Sequence, residues 1–400
     1  MSTTHVLVAG GGIAGNAVAL QLLRAGIQVT LVERADAPRP GGQAVDLRGP
    51  SKEAADRMGL LAGIRRHQLH ELGLIYVDGN GREYARMSME SMDGTGPVAE
   101  IEITRGDLNQ VLLDEVAKAG GELDYRYGDW IEAIEQNDAG ADVTFASGRT
   151  GRYDLVVAAD GVHSATRRLA FGPEEQFTTY LEGYCSFFTL PTPAGVEPGW
   201  MAMHTVLGAA VAIRPDRDPA TSKAILTLRT PENPALRGDI GAQKQLIRDM
   251  LAEAGWHAPA VLATMEHATD FYFDSLTRVD MPSLAAGRVV LLGDAGYCGS
   301  PMTGMGTAMA IVGAYLLAGE IAATPADLAG ALARYEEKVT PFLATAKQLP
   351  GGGIKMMLPS SRIVAAMGRF SMRILTSPVV MPLTRKMFMP KDGGFELPVY

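Results

Sequence analysis

Apolar positions change their period twice within the first thirty-four residues. Val6, Leu7, Val8 and Ala9 form an unbroken run, the apolar side chains from Ile13 to Ala25 recur at helical spacing, and Ile27 to Val32 resume the strand pattern before Glu33. Strand, helix and strand in that order predict one βαβ unit, with Gly10-Gly11-Gly12-Ile13-Ala14-Gly15 as its first turn.

Further along, Ala35 to Gly42 is rich in turn residues, Gln43 to Arg48 is extended, and Ser51 to about His70 is helical in pattern. Leu74 to Val77 and Glu83 to Met87 flank Asp78-Gly79-Asn80-Gly81, a hairpin signal. An extended piece, Val98 to Thr104, leads into a helix from Gly106 to Ala119, and short strands follow near Leu123 to Tyr127, Ile131 to Glu135 and Asp142 to Ala146. Tyr153 to Ala159 is nearly all apolar, as in a strand buried on both faces. From about Gln176 the segments alternate: Gly183 to Leu190, Met201 to Leu207, Ala209 to Arg214 and Lys223 to Arg229, then one helix, Ala242 to Ala254, and Phe271-Tyr272-Phe273. A buried strand returns at Gly287 to Asp294, and Thr307 to Ala323 is a helix.

The expected fold class is α/β. A Rossmann-like dinucleotide-binding domain takes residues 1–73, 100–175 and 276–345, an inserted antiparallel β-sheet substrate domain takes 74–99 and 176–275, and C-terminal helices occupy 346–400. In the last part Arg362, Arg369 and Arg373 recur at roughly helical spacing in Met-rich sequence. There we expect helices covering the core, since the larger basic face of a membrane-surface helix is missing.

Composition narrows the partners. A net charge of -9 argues against nucleic acid. Cys185 and Cys298 are too few for a disulfide framework, and the seven histidines show no metal-ligand spacing with them, so we expect no metal and a reducing compartment, the cytoplasm. The first strand begins within a few residues of Met1, which leaves no room for a signal peptide. Ala295 to Gly319 carries no charge, but its glycines and Pro301 read as a buried loop feeding a buried helix, so no transmembrane segment is expected. Oligomeric state stays open.

The glycine turn carries the first chemistry. Gly10 permits the turn, Gly12 lets the backbone approach a pyrophosphate, and Gly15 lets helix and strand pack closely, with Ala14 between them. The helix aims its unsatisfied N–H groups at the diphosphate, and Glu33, followed by Arg34, is placed to accept from an adenosine ribose. Two later stretches have the same strand-to-turn form: Leu155 to Ala159 ends in Asp160-Gly161, and Val289 to Leu292 ends in Gly293-Asp294, followed by Pro301-Met302-Thr303-Gly304-Met305-Gly306.

The order of these three motifs resembles the class A FAD-dependent aromatic monooxygenases, the para-hydroxybenzoate hydroxylase-like group, over nearly the whole chain. It looks nearest to their short, tetracycline-inactivating type. The resemblance implies a Rossmann-like FAD-binding domain of the GR2 type. It also implies that Asp294 holds the ribityl chain of FAD, Arg105 its ribityl-phosphate region, and Asp160 and Gly161 both FAD and the nicotinamide cofactor. It places Asp46 at the flavin and Arg48 near flavin or substrate, with Pro301, Gly304, Met305 and Gly306 forming the loop and helix start that face the flavin. For Arg105 a surface ion pair with Asp107 is the alternative. Two motifs depart from the family: Gly-Asp-Ala-Ala-His reads Gly293-Asp294-Ala295-Gly296-Tyr297, and Gly-Gln-Gly-x-Asn reads Gly304-Met305-Gly306-Thr307-Ala308.

The implied reaction is hydroxylation of an aromatic or polyketide-like small molecule by O2 through a C4a-hydroperoxyflavin. NADPH is the expected reductant, with NADH as an alternative and Arg39 a candidate for its phosphate. Phe187, Trp200, Met203, Phe271 and Phe273 are candidate substrate-lining residues, and His204 and Tyr272 are candidate bases. Core packing explains the same aromatics. Cys298 reads as a small buried filler. A flavin-dependent reductase, or an FAD-binding protein without oxygenase activity, is the alternative function. A simple NAD-dependent dehydrogenase would carry no flavin, and the Gly293-Asp294 motif argues against it.

Overall fold

A computed structural model describes residues 4–39, 41–90, 100–349, 351–377, 379–384 and 394–400. The βαβ unit is present as the strand His5–Ala9, the helix Ile13–Arg24 and the strand Gln28–Glu33. These two strands pair in parallel at the centre of a six-stranded sheet. Leu155–Ala158 and then Val289–Leu291 join in parallel on one side and Leu123–Tyr127 on the other, and the short strand Ala285–Ala286 closes the edge antiparallel. Val6, Val8, Val29 and Leu31 are buried under helices on one face, and Leu7, Val32, Val156 and Val289 are buried on the other under Ile131, Val143 and Phe145 of the strands Ile131–Asn137 and Gly140–Phe145. The helix Gly306–Ala323 packs on the first helix and is apolar on every side except at Glu320, which pairs with Arg334 and Lys338. Among the described residues it is the one helix long and apolar enough to cross a membrane, and 78 % of it is buried inside the molecule.

A seven-stranded sheet lies beside this domain, in the order Tyr272–Val279, Thr178–Pro191, Thr221–Arg229, Ala209–Pro215, Trp200–Val206, Gly73–Val77 and Glu83–Ser88. Its pairs are antiparallel except for Trp200–Val206 beside Gly73–Val77, so the hairpin joins this sheet from a distant part of the chain. Residues 91–99, including the start of the extended piece expected from Val98, lie outside the described residues. The sheet has two unlike faces. Phe188, Val211, Ile213, Leu226 and Leu228 point into a closed core under the helices Ile240–Leu251 and Ala258–Met265. The second of these helices adds to the single one expected there. Phe187, Cys185, Ala210, Met201 and Met203 point the other way.

One buried ion cluster ties that second face to the nucleotide domain. Arg214 donates from Nε to Glu71 at 2.5 Å, from Nη2 to Glu102 at 2.5 Å and from Nη1 to the Ala44 carbonyl at 3.1 Å. Against the cost of burial, the charges of Glu71 and Glu102 hold the Arg214 guanidinium protonated. The expected helical pattern from Ser51 to His70 is divided into Pro50–Arg57 and Leu61–Arg66, with Gly59 at φ 69° between them.

Candidate active site and cofactor cleft

The glycine turn packs as its residues require. A Cβ on Gly15 would lie 1.9 Å from the Gly10 carbonyl oxygen, and one on Gly10 would lie 2.5 Å from that of Ala159. At Gly12 an added Cβ would meet nothing within 4 Å, and the helix that Gly12 opens has no side-chain cap. Space and unsatisfied N–H groups therefore coincide, which is the form of a phosphate cradle.

Side chains hold this turn from behind. The Gly11 N–H donates to Glu33 Oε2 at 2.7 Å and the Ala35 N–H to Oε1 at 2.8 Å, leaving each oxygen a further lone pair. Asn16 and Asn109 donate to the Gly11 carbonyl at 2.7 and 3.2 Å, and the Tyr125 hydroxyl donates to Asn16 Oδ1 at 3.2 Å. The sequence reading missed Asn16, Asn109 and Tyr125. Arg34 turns outward, its guanidinium 5.6 Å from the centre of the Trp130 ring.

At the far end of the cleft the other motifs converge. Gly293, at φ 63°, packs against Ala14, since a Cβ on it would stand 3.0 Å from Ala14 Cβ. Asp294 follows, and its Oδ1 lies 3.9 Å from where a Gly306 Cβ would be, at the uncapped start of the helix Gly306–Ala323. Burial raises the Asp294 pKa, and Arg105 partly offsets the rise. Neither Asp294 nor Arg105 forms an ion pair among the described residues. Asp107, the alternative partner of Arg105, instead accepts from the Thr104 hydroxyl at 2.8 Å and lies 3.5 Å from Arg217. Ser300 at φ 73° and Gly304 at φ 65° bend the intervening loop, and an added Cβ at Gly304 would meet open space. The 41–48 segment leans on the same place: Arg105 and Gly106 donate their N–H groups to the Gln43 and Gly41 carbonyls, and Asp46 pairs with Arg48.

Asp160 commits its carboxylate locally. Ser164 Oγ, the Thr166 N–H at 3.0 Å and Thr166 Oγ1 at 2.9 Å all donate to it, so it fixes the start of the helix Ala165–Phe171. That helix carries Arg167, fully buried, which donates to the Ala295 carbonyl at 2.8 Å and the Val162 carbonyl at 2.7 Å. The Asp160-Gly161 motif thereby positions the Asp294 loop through Arg167.

Beside this loop is a chain of polar side chains that the sequence reading did not assemble. His163 Nδ1 lies 2.6 Å from Glu174 Oε1, His163 Nε2 lies 3.0 Å from Asp274 Oδ1, and the Tyr272 hydroxyl donates to Asp274 Oδ2 at 2.9 Å. The carboxylates of Asp274 and Glu174 push the His163 pKa up to about 9. Against burial, the hydrogen bond from His163 and the charges of His163 and Arg237 hold Glu174 down at about 2. Asp274 also stays below the ordinary range, as hydrogen bonds from His163 and Tyr272 outweigh its burial. Burial, then the Asp274 charge, push the Tyr272 phenol well above its usual value, so it remains a neutral donor. Tyr272 stacks on Phe187, ring centres 5.9 Å apart.

Several expected lining residues face elsewhere. Phe271 and Phe273 alternate with Tyr272 and pack into the closed core of the sheet's other face, and Trp200 joins Ile75 and Val77 with Arg86 over its ring. His204 is 4 % exposed, with Nδ1 and Nε2 at 3.0 and 2.8 Å from the Val77 and Ala254 carbonyls, so both nitrogens are committed to backbone. Period-two alternation removes these four from the cleft and keeps Phe187, Met203 and Tyr272 on its side. Cys298 is buried, its Sγ 3.5 Å from the Thr277 carbonyl, and burial raises its pKa well above the usual thiol value. Tyr297, where the related motif has histidine, is buried against the long helix: its hydroxyl is 3.1 Å from the Tyr335 hydroxyl and would lie 2.0 Å from a Gly313 Cβ. No group of His, Cys, Asp and Glu among the described residues could hold a metal ion.

Comparison with known proteins identifies the family and the fold. A family model described as an FAD binding domain matches residues 3–348. The chain is 37 % identical to an uncharacterized protein of Mycobacterium tuberculosis strain H37Rv, over 87 % of this chain and 94 % of that one. It is 36 % identical to a flavin-dependent monooxygenase of Legionella longbeachae, over 84 % and 85 % of the two chains. Among solved structures, the tetracycline destructase Tet(51) superposes with a TM-score of 0.81 at 32 % identity, covering all of both chains. At 19 % identity, Klebsiella pneumoniae HpxO complexed with FAD and uric acid shares the fold, with a TM-score of 0.76 over 98 % of each chain.

Proposed function

The chain belongs to the FAD-binding-domain family of FAD-dependent monooxygenases, and from that premise we propose that it uses NADPH and O2 to hydroxylate an aromatic, polyketide-like substrate held between the Asp294 loop and the inserted sheet. The observation that carries this is the two-sided cleft itself. An uncapped helix start and a half-buried carboxylate stand on one side, and Phe187, Tyr272 and Met203 stand on the other. The full-length likeness to a tetracycline destructase supports a polycyclic phenol as the first substrate to try. Two buried free cysteines fit a reducing compartment, the cytoplasm.

Bound FAD, once reduced by the nicotinamide nucleotide, supplies the O2 activation that the protein's own side chains lack. The chain's residues do the rest. Backbone N–H groups after Gly12 hold the diphosphate, and Glu33, already fixed by Gly11 and Ala35, accepts from the adenosine ribose. Asp294 would accept from ribityl hydroxyls and Arg105 would neutralise a phosphate of the cofactor. The dipole of the helix Gly306–Ala323 would favour negative charge on a flavin held at its start. Tyr272, kept neutral with its O–H donating to Asp274, holds a substrate hydroxyl by accepting from it rather than by removing its proton.

The test is direct. Purified protein is yellow, and its oxidation of NADPH accelerates when a polycyclic phenol is added, with one atom of labelled O2 appearing in the product. Colourless protein that takes up no FAD sinks the cofactor assignment. Yellow protein that phenols leave unstimulated sinks the substrate class.

A further inference from the structure

From residue 338 to residue 391 the chain carries nine lysines and arginines and no aspartate or glutamate, in a molecule whose net charge is -9. This run contains the helix Arg362–Leu375, capped by Ser361, whose Oγ accepts from the Val364 N–H. The sequence pattern implies that it covers the core. The structure corrects this, since none of its fourteen residues is buried. It touches the protein through Met372, which packs with Leu74, Met87, Met201 and Met203 at one end of the seven-stranded sheet.

Its apolar residues are on the opposite side. Ile363, Met367, Phe370 and Ile374 recur in steps of four, three and four, and they are 74, 64, 67 and 43 % exposed. Phe370 stands about 200° round the helix from Met372 at 3.6 residues per turn, so the stripe points away from the sheet. A continuous exposed stripe of large apolar side chains marks a contact surface. Arg362, Arg369 and Arg373 flank it, and none of them forms an ion pair among the described residues. Lys338, Lys347 and Lys355 are paired with Glu320, Asp280 and Glu182, so the unneutralised charge of the described run sits on this helix.

We propose that this helix lies on an anionic phospholipid surface, with Ile363, Met367, Phe370 and Ile374 entering the acyl boundary and the three arginines meeting lipid phosphates. Charge decides between a bilayer and a second copy of the chain. A stripe flanked only by arginines, apposed to itself, brings like charges together, whereas phosphate headgroups complement it. The helix touches the cleft side of the sheet through Met372, and the stripe lies on the other side of the helix with the arginines at its flank, so loss of lipid binding by changes there leaves the proposed reaction untouched.

Full-length, FAD-loaded protein should sediment with phosphatidylcholine vesicles containing phosphatidylglycerol and stay in the supernatant with phosphatidylcholine alone. High salt should weaken the binding. The pair R369Q and R373Q should weaken it by on the order of tenfold or more, and M367E with F370E should abolish it, both at wild-type flavin content and cofactor-dependent NADPH oxidation. No sedimentation with anionic vesicles, equal binding to neutral ones, or unchanged binding by M367E with F370E overturns the proposal. So does a concentration-dependent dimer that F370E dissolves in protein that ignores vesicles.

Discussion

The helices Ile13–Arg24 and Gly306–Ala323 both start without a side-chain cap and near an open position, Gly12 and Gly304, and they are braced in opposite ways. Ile13–Arg24 begins at a turn whose Gly11 N–H and carbonyl are held from behind by Glu33, Asn16 and Asn109. Gly306–Ala323 begins beside Asp294, a carboxylate without an ionic partner among the described residues, after a loop bent through Ser300 and Gly304. The first arrangement fixes a shape and leaves little to titrate. The second keeps polar groups uncommitted, which is what an end that must accept hydroxyls and developing charge requires. In the proposed reading, rigidity is concentrated where FAD would be anchored, and available polarity where its flavin would react.

Substitutions can break that contrast, beginning with the largest expected effect. Gly15→Ala places a methyl 1.9 Å from a backbone oxygen that cannot move aside, and should cost about 3 kcal/mol or more. Thermal melting reads this, and a near-native midpoint would disprove the close packing. Gly12→Val, three residues earlier, meets no protein atom in its first carbon, so the fold should melt near the apo wild type while the flavin-to-protein absorbance ratio falls to almost nothing. Retained flavin would refute the phosphate cradle.

At the other end the expected changes are graded. Asp294→Ala removes a charged acceptor and should weaken FAD by roughly ten- to a hundredfold, measured by flavin fluorescence titration. Full flavin content in the purified variant would move the ribityl contact elsewhere. The smallest effect belongs to His163. Its pKa is raised from 6.5 to about 9, so its stabilising contribution is complete below about 6.5 and is lost as pH rises through about 9. His163→Gln should therefore melt below the wild type in mildly acid buffer, and the gap should close above that upper value. A gap that widens with pH would show that the ring is not held between two anions.

The contrast also governs what could be read from the sequence. At the first helix, the chemistry lies in backbone and glycine, and a local pattern specifies it. Gly10, Gly12, Gly15 and Glu33 are near neighbours in sequence as well as in space. At the second, His163, Glu174, Asp274 and Tyr272 come from three separate segments and meet because two sheets are juxtaposed. No spacing rule joins them. One signal was present: in Phe271-Tyr272-Phe273-Asp274 a strand must send the two phenylalanines to one face and Tyr272 with Asp274 to the other, which separates core from cleft. Asp160 was recognised as part of a motif, yet its carboxylate caps a helix, because the cap partners Ser164 and Thr166 lie within the same motif. The helix Ala258–Met265, with Pro259 in its first turn, was too short to give a periodic signal.

Tyr297 and Gly313 carry a historical constraint. A Cβ on Gly313 and the Tyr297 hydroxyl would claim the same place, 2.0 Å apart, and that hydroxyl in turn meets Tyr335. Neither position can change alone in the direction of greater bulk. A lineage that gains a larger residue at 313 must first shorten the side chain at 297, and Leu292, whose Cδ1 would stand 3.2 Å from the new carbon, must then give way as well. The order in which this protein could diverge is thus written into one crowded contact beneath its cofactor loop.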